Sequence, residues 1–449
     1  MDVSIIETSG LGDRSYLVAH HGIAVVIDPQ RDIDRVLALA DKNQVRITHV
    51  LETHLHNDYV TGGLELSRTV GADYAVPAGD DVDYARRAVT DGDIIDAGPI
   101  HLEVIHTPGH THHHVSYVLR DATGTVHGVF TGGSMLYGTT GRTDLIGPDE
   151  TESLSHAQYH SVHKLADRLP SDTPIYPTHG FGSFCSATPA SGDSSTIAEQ
   201  RSTNPALTQD EQSFVDELLA GLSAYPAYYA HMGVINREGP APVDLTPPVL
   251  IDPAELRRRI DAGEWVVDLR TRTAFAAGHL PGTLGFELSG SFVSYFGWLY
   301  DWGAPITVIG ESAEQVAEAK RELVRIGVDR LTGAATDRID TLAAGSRLGS
   351  YPVADFSRLA TELSSRSASI LDVRQAHEYD KEHIAGAVNI PLHELANRLA
   401  DVPAGPVWVH CGSGYRASIA TSLLDRAGVD VVLIDDAFAK AGEQGLTVQ

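Results

Sequence analysis

Two imidazoles two residues apart, with a carboxylate two further on, follow the apolar run Val45 to Leu51 in Thr53-His54-Leu55-His56-Asn57-Asp58-Tyr59. The run VRITHVL reads as a buried β-strand, so these side chains fall where a strand ends and its loop begins. A helix would splay them, whereas a strand-end loop lets all three converge. His110 follows another strand-like run, HLEVIHT, in Thr107-Pro108-Gly109-His110-Thr111, and His179 follows a short apolar segment in Tyr176-Pro177-Thr178-His179-Gly180. A fold that ends several strands at one sheet edge would gather His54, His56, Asp58, His110 and His179 around one metal ion. The chain has 22 histidines, and a lone one is more often a surface or hydrogen-bonded core residue than a ligand, so the ordered set carries the argument and no single member does.

In this order the residues resemble the metallo-β-lactamase fold superfamily, whose His-x-His-x-Asp-His signature is followed by Gly-His, Asp and a last His. The resemblance covers about residues 1 to 235 and implies an αββα sandwich. Tyr59 stands where the signature usually has a second-site His, so the resemblance implies a mononuclear site instead of the binuclear zinc centre of the thioester hydrolases. That points to the persulfide dioxygenases, which use one iron held by two histidines and an aspartate. Gly141-Arg142-Thr143-Asp144, behind Phe130-Thr131-Gly132, also resembles the dioxygenase pattern, and Tyr59, Arg142 and Asp144 are the expected substrate-orienting residues. The family's ligating Asp directly follows Phe-Thr-Gly, and here that position is Gly133. Three arrangements stay open: His56 joins His54 and His110 in a three-His site, a carboxylate such as Asp58 moves in, or metal binding is weak. The three-His site is the expectation, since an iron with three imidazoles keeps open positions for a thiolate and dioxygen. The same histidines would also accept zinc.

At 449 residues the chain is long enough for two or three cores, and its composition is that of a globular protein. No apolar run approaches the ~20 residues of a membrane span. The N-terminus, MDVSIIETSGLGD, lacks the basic start and apolar core of a signal peptide, so a cytoplasmic location is expected. A net charge of −27 disfavours nucleic acid as a partner. An anionic substrate would therefore need local positive charge, for which Arg142 and Arg416 are the candidates. The two cysteines, Cys185 and Cys411, lie in different expected domains, which makes a structural disulfide improbable and each thiol a candidate reagent.

Residues 239–252 form a Pro-rich stretch that reads as a linker. Beyond it the sequence repeats: Val267-Asp268-Leu269-Arg270 recurs as Leu371-Asp372-Val373-Arg374, and Gly278-His279-Leu280-Pro281-Gly282 as Glu382-His383-Ile384-Ala385-Gly386. The offset is constant, since 372 − 268 and 383 − 279 are both 104. The expected domains are 1–238, 253–346 and 352–449, the last two α/β with parallel sheets because short β-branched runs alternate with helical ones.

Asp372-Val373-Arg374, Glu378-Tyr379, His383-Ile384 and Cys411-Gly412-Ser413-Gly414-Tyr415-Arg416 resemble the rhodanese family of sulfurtransferases. The loop's chemistry stands without that name. A thiol at a strand end, leading through glycines into a helix N-terminus, meets backbone N–H groups and the positive end of the helix dipole, which stabilise a thiolate or persulfide. Gly412, Ser413, Gly414 and Tyr415 would cradle the sulfur, with Arg416 as a fixed charge. The plain alternative, a buried structural thiol, fits the Gly-Ser-Gly context less well. In the first repeat Pro305-Ile306-Thr307-Val308-Ile309-Gly310 aligns with Pro406-Val407-Trp408-Val409-His410-Cys411, so Gly310 takes the nucleophile's place and this copy reads as structural.

The whole order resembles the multidomain persulfide dioxygenase-sulfurtransferases of sulfide detoxification, which also carry a Gly-Ser-x-Cys element where this chain has Cys185; a packing role for Cys185 is the alternative. The resemblance implies one Fe(II), a low-molecular-weight thiol persulfide and dioxygen as substrates, sulfite or thiosulfate as the partner of Cys411, and a homo-oligomer. A thioester hydrolase, or a silent metal domain serving an active rhodanese, are the competing readings.

Overall fold

Behind the edge strand β1 (Asp2–Thr8), strands β2 (Asp13–His20) and β3 (Ile23–Ile27) are buried along nearly their whole length, which requires cover on both faces of their sheet. The computed structural model describes every residue except Pro189, Ser191, Arg366 and Gln449. It divides the chain into two units, residues 1–244 with 323–327, and residues 245–322 with 328–449.

In the first unit, β1 to β3 run antiparallel and continue in parallel through β4 (Arg46–Leu51), β5 (Asp73–Pro77) and β6 (Arg87–Val89). The second sheet takes β7 (Ile94–Ala97), β8 (Ile100–His106), β9 (Val115–Arg120) and β10 (Val126–Gly132), then, past the short hairpin β11 (Met135–Leu136) and β12 (Thr139–Thr140), β13 (Ile175–Pro177) parallel to β10. Tyr16, Val25 and Leu51 of one sheet meet Leu102, Tyr117 and Phe130 of the other in a single core. Each such side chain contributes roughly 1.5–3 kcal/mol by leaving water. Helices α1 (Asp34–Lys42) and α2 (Gly63–Val70) cover the outer face of the first sheet, and α3 (Thr151–Arg168) with residues 197–221 that of the second. This is an αββα sandwich.

The sandwich delivers the histidine loops to one edge. Backbone bonds stitch the two sheets there: Val115 donates to Thr53 O at 2.8 Å, and Arg14 to Thr178 O at 2.8 Å.

The second unit holds two all-parallel sheets. One has four strands, in the order 284–285, 265–268, 306–309, 331–335; the other has five, in the order 353–354, 431–434, 407–410, 369–372, 388–389. Their central registers coincide, with Asp268 opposite Ile309 in one and Asp372 opposite His410 in the other. Gly310 and Cys411 therefore leave equivalent strand ends. Between Glu238 and Pro253 the chain forms no helix or strand beyond a single bridge from Leu250 to Ala334, and the next helix opens on Pro253 with Asp252 accepting from Glu255 N. Among the described residues no helix is long and apolar enough to cross a membrane.

Candidate metal centre and sulfur-transfer loop

His54, His110 and His179 are fully buried and bring one ring nitrogen each to within 4.8 Å of one another. Their outward nitrogens are tied down. His54 Nδ1 lies 2.9 Å from Thr53 Oγ1, which itself donates to Asp28 Oδ2 at 2.8 Å, so the threonine oxygen accepts from the imidazole. His110 Nδ1 donates to the carbonyl of Arg142 at 2.7 Å. Both rings thus point an Nε2 lone pair inward, the arrangement that orients metal-bound histidines. Burial, with the neighbouring imidazoles, holds His54 well below the usual histidine range and pushes His110 down to about 3, so both stay in the neutral form a metal needs.

His179 is the third imidazole of this tight group, where His56 was expected. Its Nδ1 lies 2.9 Å from Asp13 Oδ1 and 3.1 Å from Asp58 Oδ2. Burial works against its charge, yet Asp58 and Asp13 lift it to about 10, while Asp13 is itself pushed up to about 7 by burial and by the Asp58 charge. His56 faces the other way: its Nε2 lies 3.2 Å from Glu52, 3.3 Å from Asp28 and 3.0 Å from the Tyr59 hydroxyl. Those carboxylates overcome burial and raise His56 to about 9. Its Nδ1 and Asp58 Oδ1 are buried with no hydrogen-bond partner among the described residues, and His56, Asp58 and His179 also lie within 4.8 Å by one ligand atom each. Orphaned donor atoms of this kind beside converging lone pairs fit a metal ion.

Cys411 is buried, and the backbone N–H of Gly414 donates to its Sγ at 3.2 Å. Gly414 has φ +91°, and a Cβ there would stand 2.2 Å from Asp435 Oδ1, so only glycine fits this turn into helix Tyr415–Arg426. Arg416 forms a bidentate pair with Glu378, Nη2–Oε1 at 2.8 Å and Nη1–Oε2 at 2.5 Å. Its charge is therefore balanced within the protein.

Residues 11–179 match the profile of the metallo-β-lactamase superfamily, and residues 355–443 that of the rhodanese-like domain. The persulfide dioxygenase ETHE1, mitochondrial, of Homo sapiens is 34% identical over 217 residues, 47% of this chain and 76% of that protein. The chain belongs to the metallo-β-lactamase superfamily. The cytoplasmic hydroxyacylglutathione hydrolase of Arabidopsis thaliana is also similar, 33% identical over 37% of this chain and 63% of its own length. A solved metallo-β-lactamase structure from Staphylococcus aureus subsp. aureus COL aligns with a TM-score of 0.67 and 28% identity over 74% of this chain and 98% of that one.

Within this metallo-β-lactamase fold several residues sit otherwise than the sequence suggested. Tyr59 is wholly buried, stacked on His56 at 4.3 Å with its hydroxyl in the Asp28 and His56 network, so it does not open onto a substrate. Arg142 spends its guanidinium on Asp144 at 2.7 Å through two nitrogens and on the carbonyls of Phe184 and Ser223, so neither Arg142 nor Asp144 is open to an anion. A Cβ at Gly133 would meet His110 Cδ2 at 2.2 Å; the His110 ring fills the space an aspartate would need. Cys185 is buried with Sγ 3.7 Å from the Tyr229 hydroxyl, and burial together with Asp58 and Asp13 drives its thiol well up, so it is a thiol and no thiolate. Asp13, Asp28 and Glu52 escaped the sequence reading. Asp28 carried a signal, an acid directly after the apolar run of β3, whereas Asp13 opens a strand with nothing to mark it.

Proposed function

We propose that this chain is a metal-dependent persulfide dioxygenase joined to a sulfurtransferase. The observation that supports it most is the triad of His54, His110 and His179, with two of its tautomers fixed from outside. One Fe(II), or Zn(II) as a substitute, would be held by these three, with His56 Nδ1 and Asp58 as the remaining donors within reach. Iron supplies the redox chemistry that dioxygen requires and a position for a thiolate.

The chain's own residues do the rest. Loading a cation would require His179 to give up the proton on Nε2, the nitrogen that faces His54 Nε2 at 3.4 Å, while Asp13, 2.9 Å from Nδ1, would hold the remaining N–H and fix that tautomer. Asp28, Glu52 and Tyr59 fix the ring of His56, and Thr53 and the Arg142 carbonyl fix those of His54 and His110. Burial of the whole cluster keeps bulk water from a reactive sulfur. Tyr59 in place of an imidazole leaves no second complete ligand set of the hydrolase kind, which favours oxygenation of a low-molecular-weight thiol persulfide to sulfite and thiol.

At the other centre the Cys411 thiolate attacks the outer sulfur of a donor; the new S–S bond forms as the donor's breaks, and the donor leaves with the electron pair. Sulfite is then one acceptor, giving thiosulfate, and fusion of the two centres raises the local concentration of what they share. Two free thiols suit a reducing compartment such as the cytoplasm. The test is oxygen consumption by Fe(II)-loaded protein given a small-molecule persulfide, beside metal-free protein and His110→Ala. Iron-dependent uptake with sulfite formation, lost in His110→Ala, is the expected result; no uptake by the loaded protein overturns the dioxygenase.

A further inference from the structure

The repeat without a cysteine reaches the repeat that has one. The Tyr415 hydroxyl, adjacent to Gly414, donates to the carbonyl of Glu287 in the first repeat at 2.7 Å. Arg272 spans the two, holding Glu287 of its own repeat at 2.7 Å and Asp435 of the other at 2.7 Å. Asp435 is the side chain packed against Gly414 Cα, so this bridge ends on the sulfur loop itself. From helix Phe292–Leu299 of the first repeat, the ring of Tyr295 lies 5.7 Å from that of Tyr415, and Trp298 lies 4.7 Å from His393. Burial raises the Tyr295 phenol, and the charged groups acting on it are Arg416, Cys411 and Glu378, all three from the second repeat's sulfur centre.

We propose that Tyr295, supplied by the cysteine-free repeat, is a functional member of the Cys411 centre, its phenolic O–H donating to the sulfur that Cys411 carries. The chemistry calls for such a group. A thiolate or a terminal persulfide sulfur needs donors, and in this loop the Gly414 N–H is one. Arg416 is balanced by Glu378, so it adds little net positive charge. A half-buried phenol with its pKa raised stays protonated through the working pH range and supplies a directed hydrogen bond without a charge to desolvate. In the transfer Cys411 S⁻ attacks the outer sulfur of RS–SH; the Cys411 S–S bond forms, the donor's breaks, RS⁻ departs with the electron pair, and the hydrogen stays on the transferred sulfur. The Tyr295 O–H would stabilise the sulfur anion before this step and orient the persulfide after it.

This inference rests on the sulfur-transfer reading of Cys411, and the experiment separates the two. Sulfur transfer from thiosulfate to cyanide, and from glutathione persulfide to sulfite, is measured on the full chain for wild type, Cys411→Ser, Tyr295→Phe and Tyr300→Phe. The last lies just past the same helix, its hydroxyl bonded to Ala304 O, and serves as the control. Alongside, the pH profile of iodoacetamide modification at the Cys411 peptide is followed by mass spectrometry. Tyr295→Phe keeps the ring and its packing on Tyr415, so folding is preserved. The expected result is a loss of about 10-fold in kcat/KM, the worth of one hydrogen bond to a charged acceptor, with the alkylation midpoint moved to higher pH, while Tyr300→Phe matches wild type. Tyr295→Phe within twofold of wild type, with an unmoved alkylation profile and Cys411→Ser inactive, overturns the role of Tyr295. Transfer surviving in Cys411→Ser overturns the sulfur-transfer reading beneath it.

Discussion

Asp268 and Asp372 occupy one register position in their two sheets and grip Arg270 and Arg374 through the same fork, with Nη2–Oδ2 2.6 Å in each. The correspondence extends outward. Arg270 Nη2 donates to Gly278 O at 2.9 Å and Arg374 Nη2 to Glu382 O at 2.8 Å; His279 stacks on Phe275 at 4.2 Å and His383 on Tyr379 at 4.0 Å. At the strand end the copies part. In the second, Cys411, Gly412, Ser413 and Gly414 make a turn that aims an N–H at sulfur before the helix begins at Tyr415. In the first, the helix begins at Ala313, and Gln315 folds back, accepting from Glu311 N at 2.7 Å and donating to Leu269 O at 3.1 Å, to occupy the space beside Gly310. The scaffold and the sulfur cradle are thus separable: a repeat can keep the arginine fork and the histidine stack of the fold and lose the chemistry in one loop.

The sharpest way to break this comparison is to exchange the residue that differs. Cys411→Ser should lower sulfur transfer by roughly a thousandfold or more, the loss of a nucleophile. Gly310→Cys should gain nothing, because its Cβ would sit 3.1 Å from both Gln315 Oε1 and Val316 Cγ2, with no glycine turn presenting an N–H to the sulfur. Thiocyanate formation by the double variant Gly310→Cys, Cys411→Ser decides it; activity there would mean that the loop matters less than the thiol.

The forks test the shared half. Asp372→Ala leaves the Arg374 guanidinium buried without its partner and should destabilise the second unit by about 3–5 kcal/mol. Asp268→Ala should cost less, since the Arg270 side chain is 12% exposed against 5% for Arg374, which also lies 3.6 Å over the Phe438 ring. All four tryptophans, 265, 298, 302 and 408, belong to the second unit, so their fluorescence in a denaturant titration reads this unit alone. Equal midpoint shifts would show that burial of the arginine does not matter.

That the two copies exist was legible in the sequence, because the fork and the His-stacking residues recur at a fixed spacing and strand-forming runs precede them. The strands at 407–410 and 431–434 lie where the β-branched runs place them, as buried parallel strands carry an uninterrupted apolar signal. The histidine loops were legible for the same reason. Which nitrogen of which histidine faces the cluster was not, since that depends on partners distant in sequence: Arg142 O for His110, Asp13 for His179, Glu52 and Asp28 for His56. Nor did the sequence reveal that Arg142 and Arg416 are balanced by Asp144 and Glu378, because an arginine reads as free charge until its partner is seen.

One position sets the copies apart in their response to acid. His410 precedes Cys411 and is buried against the Phe438 ring, and burial pushes it down to about 4 despite Asp372 at 3.6 Å; the matching residue in the first repeat is Ile309. Above pH 6.5 His410 is neutral whether folded or not. Between 6.5 and about 4 the unfolded chain takes a proton that the folded one refuses, so stability falls as pH falls, by about 3 kcal/mol across the window. His410→Ile should flatten this slope between pH 7 and pH 5 in the tryptophan-detected titration. An unchanged slope would place the acid sensitivity elsewhere in the unit.

The smallest effect tests whether the copies behave as one body. Arg272, half-buried, joins Glu287 to Asp435, and Arg272→Ala should cost on the order of 1 kcal/mol, the range of a partly exposed ion pair. Its diagnostic value lies in where the loss shows. Trp265, Trp298 and Trp302 belong to the first repeat and Trp408 to the second. If the repeats unfold together, Trp408→Phe in the Arg272→Ala background leaves the midpoint of the remaining fluorescence unchanged from that of the parent, since every tryptophan reports one transition. If they unfold apart, the first-repeat tryptophans alone report a different midpoint, and the likeness of the copies is then a likeness of two independent domains, with the Tyr415 and Arg272 contacts forming and breaking between them.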